Sequence, residues 1–185
     1  MILRTQSSSL ASSAWRATGS VFDGYSATTS STPQRVRRIV VSLGGERFPF
    51  PRAVRKILSI LPDDVHVTWQ LGSTVLEGFG ADLAWVPPDA LSSAMRQADA
   101  VLIHSGVGSA LAAMDAGKAP VLLVREHAFG EHVDDHQRDL ATELEERHLA
   151  VAPAIESLDW TVVREASSRV VSKHTSVAPI DVGWA

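Results

Sequence analysis

Cysteine is absent from the 185-residue sequence, which excludes disulfide scaffolds, thiolate metal sites and a cysteine nucleophile together. The absence suits a reducing compartment, and a cytoplasmic location is the expectation. No apolar run approaches the roughly 18 to 20 residues that a membrane-spanning helix needs. Direct membrane insertion is therefore not expected, and any membrane contact is peripheral or made through a partner. Lysine and arginine nowhere form a long block and the formal net charge is −4, so the phosphate-neutralising footprint of a nucleic-acid binder is missing. Residues 1–34 lack the apolar centre of a secretory signal. They share the Ser/Arg bias of an organellar transit peptide, but their amphipathic periodicity is weak and Asp23 interrupts the acid-poor stretch. Internal repeats are also absent.

What is present is an ordinary globular composition, 45% hydrophobic and 21% charged, in a length that holds one α/β domain with a short appendage. Residues 1–34 read as a flexible Ser/Thr-rich arm or linker remnant, 35–175 as the folded domain and 176–185 as a tail. Within the arm, Val21 to Tyr25 is a compact apolar patch suited to docking on the domain. From Arg37 onward short apolar runs alternate with helical patterns, the signature of repeated βα units and a parallel sheet. The expectation is a Rossmann-like, doubly wound α/β fold of about six strands with helices on both faces. The strands are placed at Ile39–Leu43, Val65–Leu71, Ala81–Val86, Ala100–His104, Pro120–Val124 and Leu149–Ala152. Helices are expected from about Pro51, from Asp89 as a cap to Gln97, after Gly106-Val107-Gly108 to Ala116 with Gly117 as the C-cap, from Asp134 to about His148, and from Asp159 to about Val171.

In such a sheet ligands bind beyond the carboxyl ends of the strands, which directs attention to the loops after Leu43, Val86, His104 and Val124. The loop His104-Ser105-Gly106-Val107-Gly108-Ser109 is the most informative. Its glycines permit close approach of main chain to a ligand, and the free amides and positive end of the following helix attract an anion such as a diphosphate. A tight strand-to-helix turn without a ligand has the same pattern.

The stretch HSGVGSALAAMDAGKAPVLLV followed by EHVDDHQRDLATEL resembles the donor-site signature of GT-B glycosyltransferases. It is most similar to the C-terminal domain of family 28, which includes the peptidoglycan N-acetylglucosaminyltransferase and split UDP-sugar transferase subunits. The resemblance runs from about Arg37 to Ala152. It implies that His104 and the main chain around Ser105, Gly106, Gly108 and Ser109 hold the UDP diphosphate, with His104 stabilising the leaving group. It implies too that Asp135, His136 and Gln137 read the sugar hydroxyls. Trp85-Val86-Pro87 looks like the opening of the related plant-type donor motif, where the uracil is stacked and pinned by main-chain groups. Gly44 and Gly45 correspond to the first glycine loop, facing an interdomain cleft. The pattern departs at Ala112, where related motifs place a glutamate that grips the ribose, and Asp115 lies nearly a turn later.

Bland readings stand beside these. His104 also suits a cap on strand carbonyls, Trp85 plain core, and His136 with Gln137 a solvated helix face; Arg125 suits either a phosphate or a pairing with Glu126. His132 and His136 are four residues apart with two aspartates between them, a spacing that on one helix face suits zinc. The glutamate of an HExxH site is missing, however, and no third ligand is evident, so no metal and no cofactor are expected. The resemblance implies an enzyme: a hexosyltransferase donor subunit that takes a UDP-sugar, carrying N-acetylglucosamine or another hexose, for polysaccharide or glycolipid synthesis. The general base and acceptor surface are not found in this sequence. They are expected from a partner subunit, membrane-associated by analogy with split enzymes, or from the remainder of a longer transferase. A non-catalytic nucleotide-sugar-binding regulator and, more weakly, a metal-dependent hydrolase built on HVDDH are the alternatives.

Overall fold

The computed structural model describes residues 3–5, 15–17, 20–30, 35–45, 47–133 and 136–174. In chain order its elements are β1 (Leu3–Thr5), β2 (Trp15–Ala17), β3 (Tyr25–Thr29), β4 (Arg38–Ser42), α1 (Pro51–Ile60), β5 (His66–Gln70), α2 (Pro88–Gln97), β6 (Ala100–His104), α3 (Val107–Asp115), β7 (Val121–Leu123), α4 (His136–Glu146), α5 (Trp160–Ser167) and β8 (Arg169–Lys173). Strands β5, β4, β6 and β7 lie side by side in that order as one parallel sheet. The strand β6 is apolar until its last residue, and its first four positions are buried, as expected of a strand covered on both faces.

Alternation along each strand assigns the two faces. Ile39, Val41, Leu43, Leu102, Val121 and Leu123 pack with Ala53, Val54 and Ile57 of α1 and Val163 and Ala166 of α5. Val40, Val101, Ile103 and Leu122 pack on the other face with Met95 of α2, Ala110, Ala113 and Met114 of α3, and Ala141 and Leu144 of α4. This is the doubly wound arrangement, and because all four strands run parallel every carboxyl end opens on the same edge.

Four of the six expected strand segments form the sheet. The segment at Leu149–Ala152 is reduced to one parallel bridge, Val121 to Val151, with main-chain bonds Leu122 N–H to Val151 O of 2.8 Å and Val151 N–H to Pro120 O of 3.0 Å. Ala81–Val86 is not a strand. Its Leu83 and Ala84 carbonyls accept from Leu71 and Gly72 at 2.8 and 2.9 Å, but Pro87 and Pro88 then stop the pairing, because neither offers an amide. Helix boundaries shift for similar local reasons. Asp89 is not the cap of α2, whose N-cap is Pro87 with Pro88 in the first turn. The end of α3 is a Schellman turn: Gly117 has φ +79, and Lys118 N–H reaches Ala113 O at 3.0 Å while Gly117 N–H reaches Met114 O at 2.9 Å. Helix α5 is capped by Asp159, which accepts from Val162 N–H at 3.0 Å. It stops at Ser167 rather than near Val171, because the β-branched run that follows it enters β8.

In the segment expected to be a flexible arm, Phe22 is buried against the α3 and α4 face. Its neighbours are tied to α4 and the residue after it by Ser20 Oγ to Glu143 at 2.7 Å and Asp23 to Arg147 at 2.7 Å. Strand β3 then pairs antiparallel with β8. The Asp115 carboxylate joins this two-stranded sheet to α3 by accepting from Tyr25 Oη at 2.7 Å and Lys173 Nζ at 2.8 Å. Lys173 first, and Tyr25 second, hold its pKa below the ordinary carboxylate value. A depressed folded-state value stabilises the fold above the unfolded pKa of about 3.9 and is lost as pH falls through the lowered value. Acid titration followed by hydrogen exchange of β3 amides should show this sheet loosening below about pH 4, and Asp115→Asn should remove that dependence.

Candidate functional site

The carboxyl edge of the sheet gathers the loops singled out in the sequence. At the end of β6 the chain turns through Ser105 and Gly106 into α3, with Gly106 as an extended N-cap residue at φ −119. The first intrahelical bond runs from Ala110 N–H to Gly106 O, 2.9 Å. The amides of Val107, Gly108 and Ser109 thus have no carbonyl a turn earlier in the helix to bond to. Val107 and Gly108 are exposed, and a Cβ placed on Gly108 would meet nothing within 4 Å. The amino terminus of α3 is therefore open to approach by an anion.

His104 stands over this opening. Its Nε2 lies 2.9 Å from Ser109 Oγ, and its ring is confined by glycines from two loops. A Cβ on Gly106 would fall 2.5 Å from His104 Cε1, and one on Gly44 would fall 2.6 Å from Nε2. Gly44 has φ +72, and a Cβ on Gly72 would meet the Gly44 carbonyl oxygen at 2.4 Å. The loops after β4, β5 and β6 consequently touch one another through positions where only glycine fits. Ala112 is exposed farther along α3, whereas Asp115 faces Tyr25 and Lys173, so it does not stand in for the missing glutamate.

Trp85 is 63% exposed, so it is not core. Its indole borders the first glycine loop, with Cζ3 3.8 Å from where a Gly45 Cβ would sit. Val86, next to it, donates its amide to Gln70 Oε1 at 3.2 Å. On the other side of the edge, Ser105 is buried and its hydroxyl donates to the Gln137 carbonyl at 2.8 Å. Gln137 Oε1 in turn accepts from Arg125 N–H at 3.2 Å, so this glutamine is buried against the sheet edge rather than on a solvated face. His136 is the first residue of α4, and Asp135 lies outside the described residues. Because α4 begins at His136, His132 is not on the same helix, and the one-face zinc geometry does not arise. Among the described residues no cluster of metal-ligating side chains is found.

Arg125 follows neither of the two readings open in the sequence. It is 1% exposed, and its guanidinium donates to Phe48 O at 2.7 Å, Leu43 O at 3.1 Å and Glu131 O at 3.3 Å, with the Phe50 ring 4.8 Å below. Beside it Arg52 grips Glu131 through two bonds of 2.8 and 3.0 Å and also reaches Glu126 and Glu156. Hydrogen bonding to Glu131, then to Glu156, raises the Arg52 pKa further above its already high value. These contacts fasten the loop after β7 to α1 and to the first glycine loop. Sequence reasoning missed Arg52, Glu131, Gln70 and Ser42. The one available signal was polarity at strand ends, as in the closing glutamine of HVTWQ.

Residues 39–177, well over half of the chain, match the model described as glycosyltransferase family 28 C-terminal domain. The chain belongs to that family. Solved structures agree on the fold: the calicheamicin glycosyltransferase CalG4, 21% identical with a TM-score of 0.51 over 86% of this chain and 40% of that one, and the glycotransferase of kitacinnamycin, 21% identical with a TM-score of 0.52 over 71% and 34%. The glycosyltransferase SnogD from Streptomyces nogalater is 24% identical over 73% of this chain and 39% of that one, with a TM-score of 0.49. The chain therefore spans two fifths or less of the length of these structures. No curated protein matches it. As a member of family 28 it carries one GT-B half, and the glycine loops around His104 lie at the carboxyl edge of its sheet. Among its described residues no helix is long and apolar enough to cross a membrane.

Proposed function

We propose that this domain binds a UDP-sugar along the carboxyl edge of its sheet and serves as the donor half of a transferase. The observation that carries the reading is the meeting of Gly44, Gly106 and Ser109 around His104 at the open start of α3. Amides of Val107, Gly108 and Ser109 would receive the diphosphate, and Trp85 would stack on the base. The start of α4, which Gln137 fastens to the sheet edge, would border the sugar. During transfer an acceptor hydroxyl gives its proton to a base, its oxygen bonds the anomeric carbon, and the bond from that carbon to the diphosphate oxygen breaks. The charge that collects on the leaving diphosphate is met by the helix amides and His104, groups already fixed before reaction.

The base and acceptor surface belong to another body, a partner subunit or the rest of a longer chain. Val75, Val107, Phe129 and Val133 support this, since all are exposed large apolar residues in the loops and at the helix start along the same edge, where a partner would cover them. A non-catalytic donor-binding regulator is favoured by one observation, that α3 offers Ala112 and no reachable carboxylate for the ribose.

Calorimetry with UDP tests the donor site. His104→Ala should weaken UDP roughly tenfold to a hundredfold, the worth of a charge-assisted hydrogen bond, while leaving zinc and EDTA without effect. Equal UDP affinity in the variant, or none in the wild type, contradicts the proposal. Transfer of radiolabelled sugar in the presence of a co-purified partner separates transferase from regulator.

A further inference from the structure

We propose that Gln70 is a positioning residue that holds Trp85 in place for the nucleotide base, acting through the main-chain amide of Val86. The inference rests on the donor-site reading and extends it to a residue that neither the motifs nor the family match singles out. An indole that is 63% exposed has little packing of its own to fix it, so its position must come from the backbone that carries it. That backbone is held at three points. Leu83 O and Ala84 O accept from Leu71 and Gly72 amides at 2.8 and 2.9 Å, bonds that any side chains at those positions would allow. The third, Val86 N–H to Gln70 Oε1 at 3.2 Å, requires this side chain.

Gln70 is suited to that task by its surroundings. It closes the edge strand β5, is 4% exposed, and sits in register with Ser42 on β4. Its Nε2 donates to Ser42 Oγ at 3.0 Å, a hydroxyl that can also donate, so it is the Val86 N–H, a donor only, that sets the amide with its oxygen, not its nitrogen, facing it. A reversed amide would oppose donor to donor. Burying a carboxamide is unfavourable unless both ends are bonded, and here Ser42 and Val86 supply the two bonds. The residue next to the clamp is Trp85, whose ring lies beside Gly45.

The test uses the full chain as Gln70→Leu, Gln70→Glu, Trp85→Ala and the double variant Gln70→Leu/Trp85→Ala. UDP and inorganic pyrophosphate are titrated by calorimetry, and hydrogen exchange is read at the Val86 amide without ligand. Gln70→Leu should lose Val86 protection and weaken UDP about as much as Trp85→Ala, roughly tenfold given the worth of one stacked base. Pyrophosphate should bind unchanged, and the double variant should be no weaker than Trp85→Ala alone. Gln70→Glu still accepts from Val86, with the Ser42 hydroxyl turning to donate, and should retain protection and most UDP affinity. Unchanged Val86 exchange in Gln70→Leu, a matching loss of pyrophosphate, or losses that multiply in the double variant overturn the clamp. If instead Trp85→Ala binds UDP as the wild type does, the base-stacking reading fails and the clamp's proposed purpose with it, even where Val86 exchange shows that the bond exists.

Discussion

Replacing Arg125 with methionine should lower the stability of the domain by about 3 to 5 kcal/mol, the range seen when a buried polar network is broken. The side chains are similar in volume, so little of the loss comes from packing. It comes from Leu43 O, Phe48 O and Glu131 O, which lose their donor in a site where Arg125 is 1% exposed. Each buried acceptor left without a partner costs about 1 to 3 kcal/mol, and relief of the buried cation offsets part of the sum. Thermal unfolding of a domain this size should fall by roughly 10 °C, at about 2 to 4 °C for each kcal/mol. Arg125→Lys distinguishes charge from shape. An ammonium keeps the charge but lacks the planar fork that spans Leu43 and Phe48, so it should recover less than half of the loss. Full recovery by lysine would show that charge alone matters there. Because Leu43 directly precedes Gly44, both variants should also loosen the first glycine loop and weaken UDP binding.

That result bears on what the sequence could and could not disclose. Strands β4, β6 and β7 were legible because each is a short, nearly continuous apolar run, the pattern that burial on two faces imposes, and the edge strand β5 because Val67 and Trp69 alternate with polar residues. Ala81–Val86 has the same local pattern, but Pro87 and Pro88 limit its pairing to two carbonyls, so periodicity misled there. Strand β3 was illegible for the opposite reason: Tyr25–Thr29 is small and polar, and its strand form depends on β8, more than a hundred residues away in sequence. The glycine loops and His104 were recognisable from local motif, and the structure brings them to one edge. Arg125, Arg52 and Glu131 were not, since a charged side chain reads as surface until its partners are known. Those partners are main-chain carbonyls and residues on distant elements, which carry no mark in the local sequence. Gln70 and Ser42 were hidden in the same way, as polar ends of strands that meet only once the register of β4 on β5 is set.

The contact between glycine and histidine leads to the second large effect. Gly106→Ala places a methyl 2.5 Å from His104 Cε1, closer than real Cβ atoms come. The backbone at Gly106, with φ −119 and ψ 140, is open to any residue. The variant therefore acts on the ring and not through main-chain strain. Two outcomes are expected together. The imidazole moves off Ser109, at a cost of about 1 to 3 kcal/mol for an overpacked site, and UDP binding falls by at least the tenfold lost in His104→Ala. In the double variant His104→Ala/Gly106→Ala the methyl enters the space the ring has left, so the stability loss should be smaller than the sum of the single losses. UDP affinity should be no worse than in His104→Ala alone. Gly44→Ala, which meets the same ring from the other side, should not be relieved in this way, because its φ of +72 remains strained for alanine by about 1 to 2 kcal/mol whatever occupies position 104. Urea unfolding of the six proteins, wild type and the double variant His104→Ala/Gly44→Ala included, with UDP titration of each, reads both terms. Additive stability losses for the Gly106 and His104 changes would show that the ring and the glycine are not in contact, and would remove the geometric basis for placing the diphosphate beside His104.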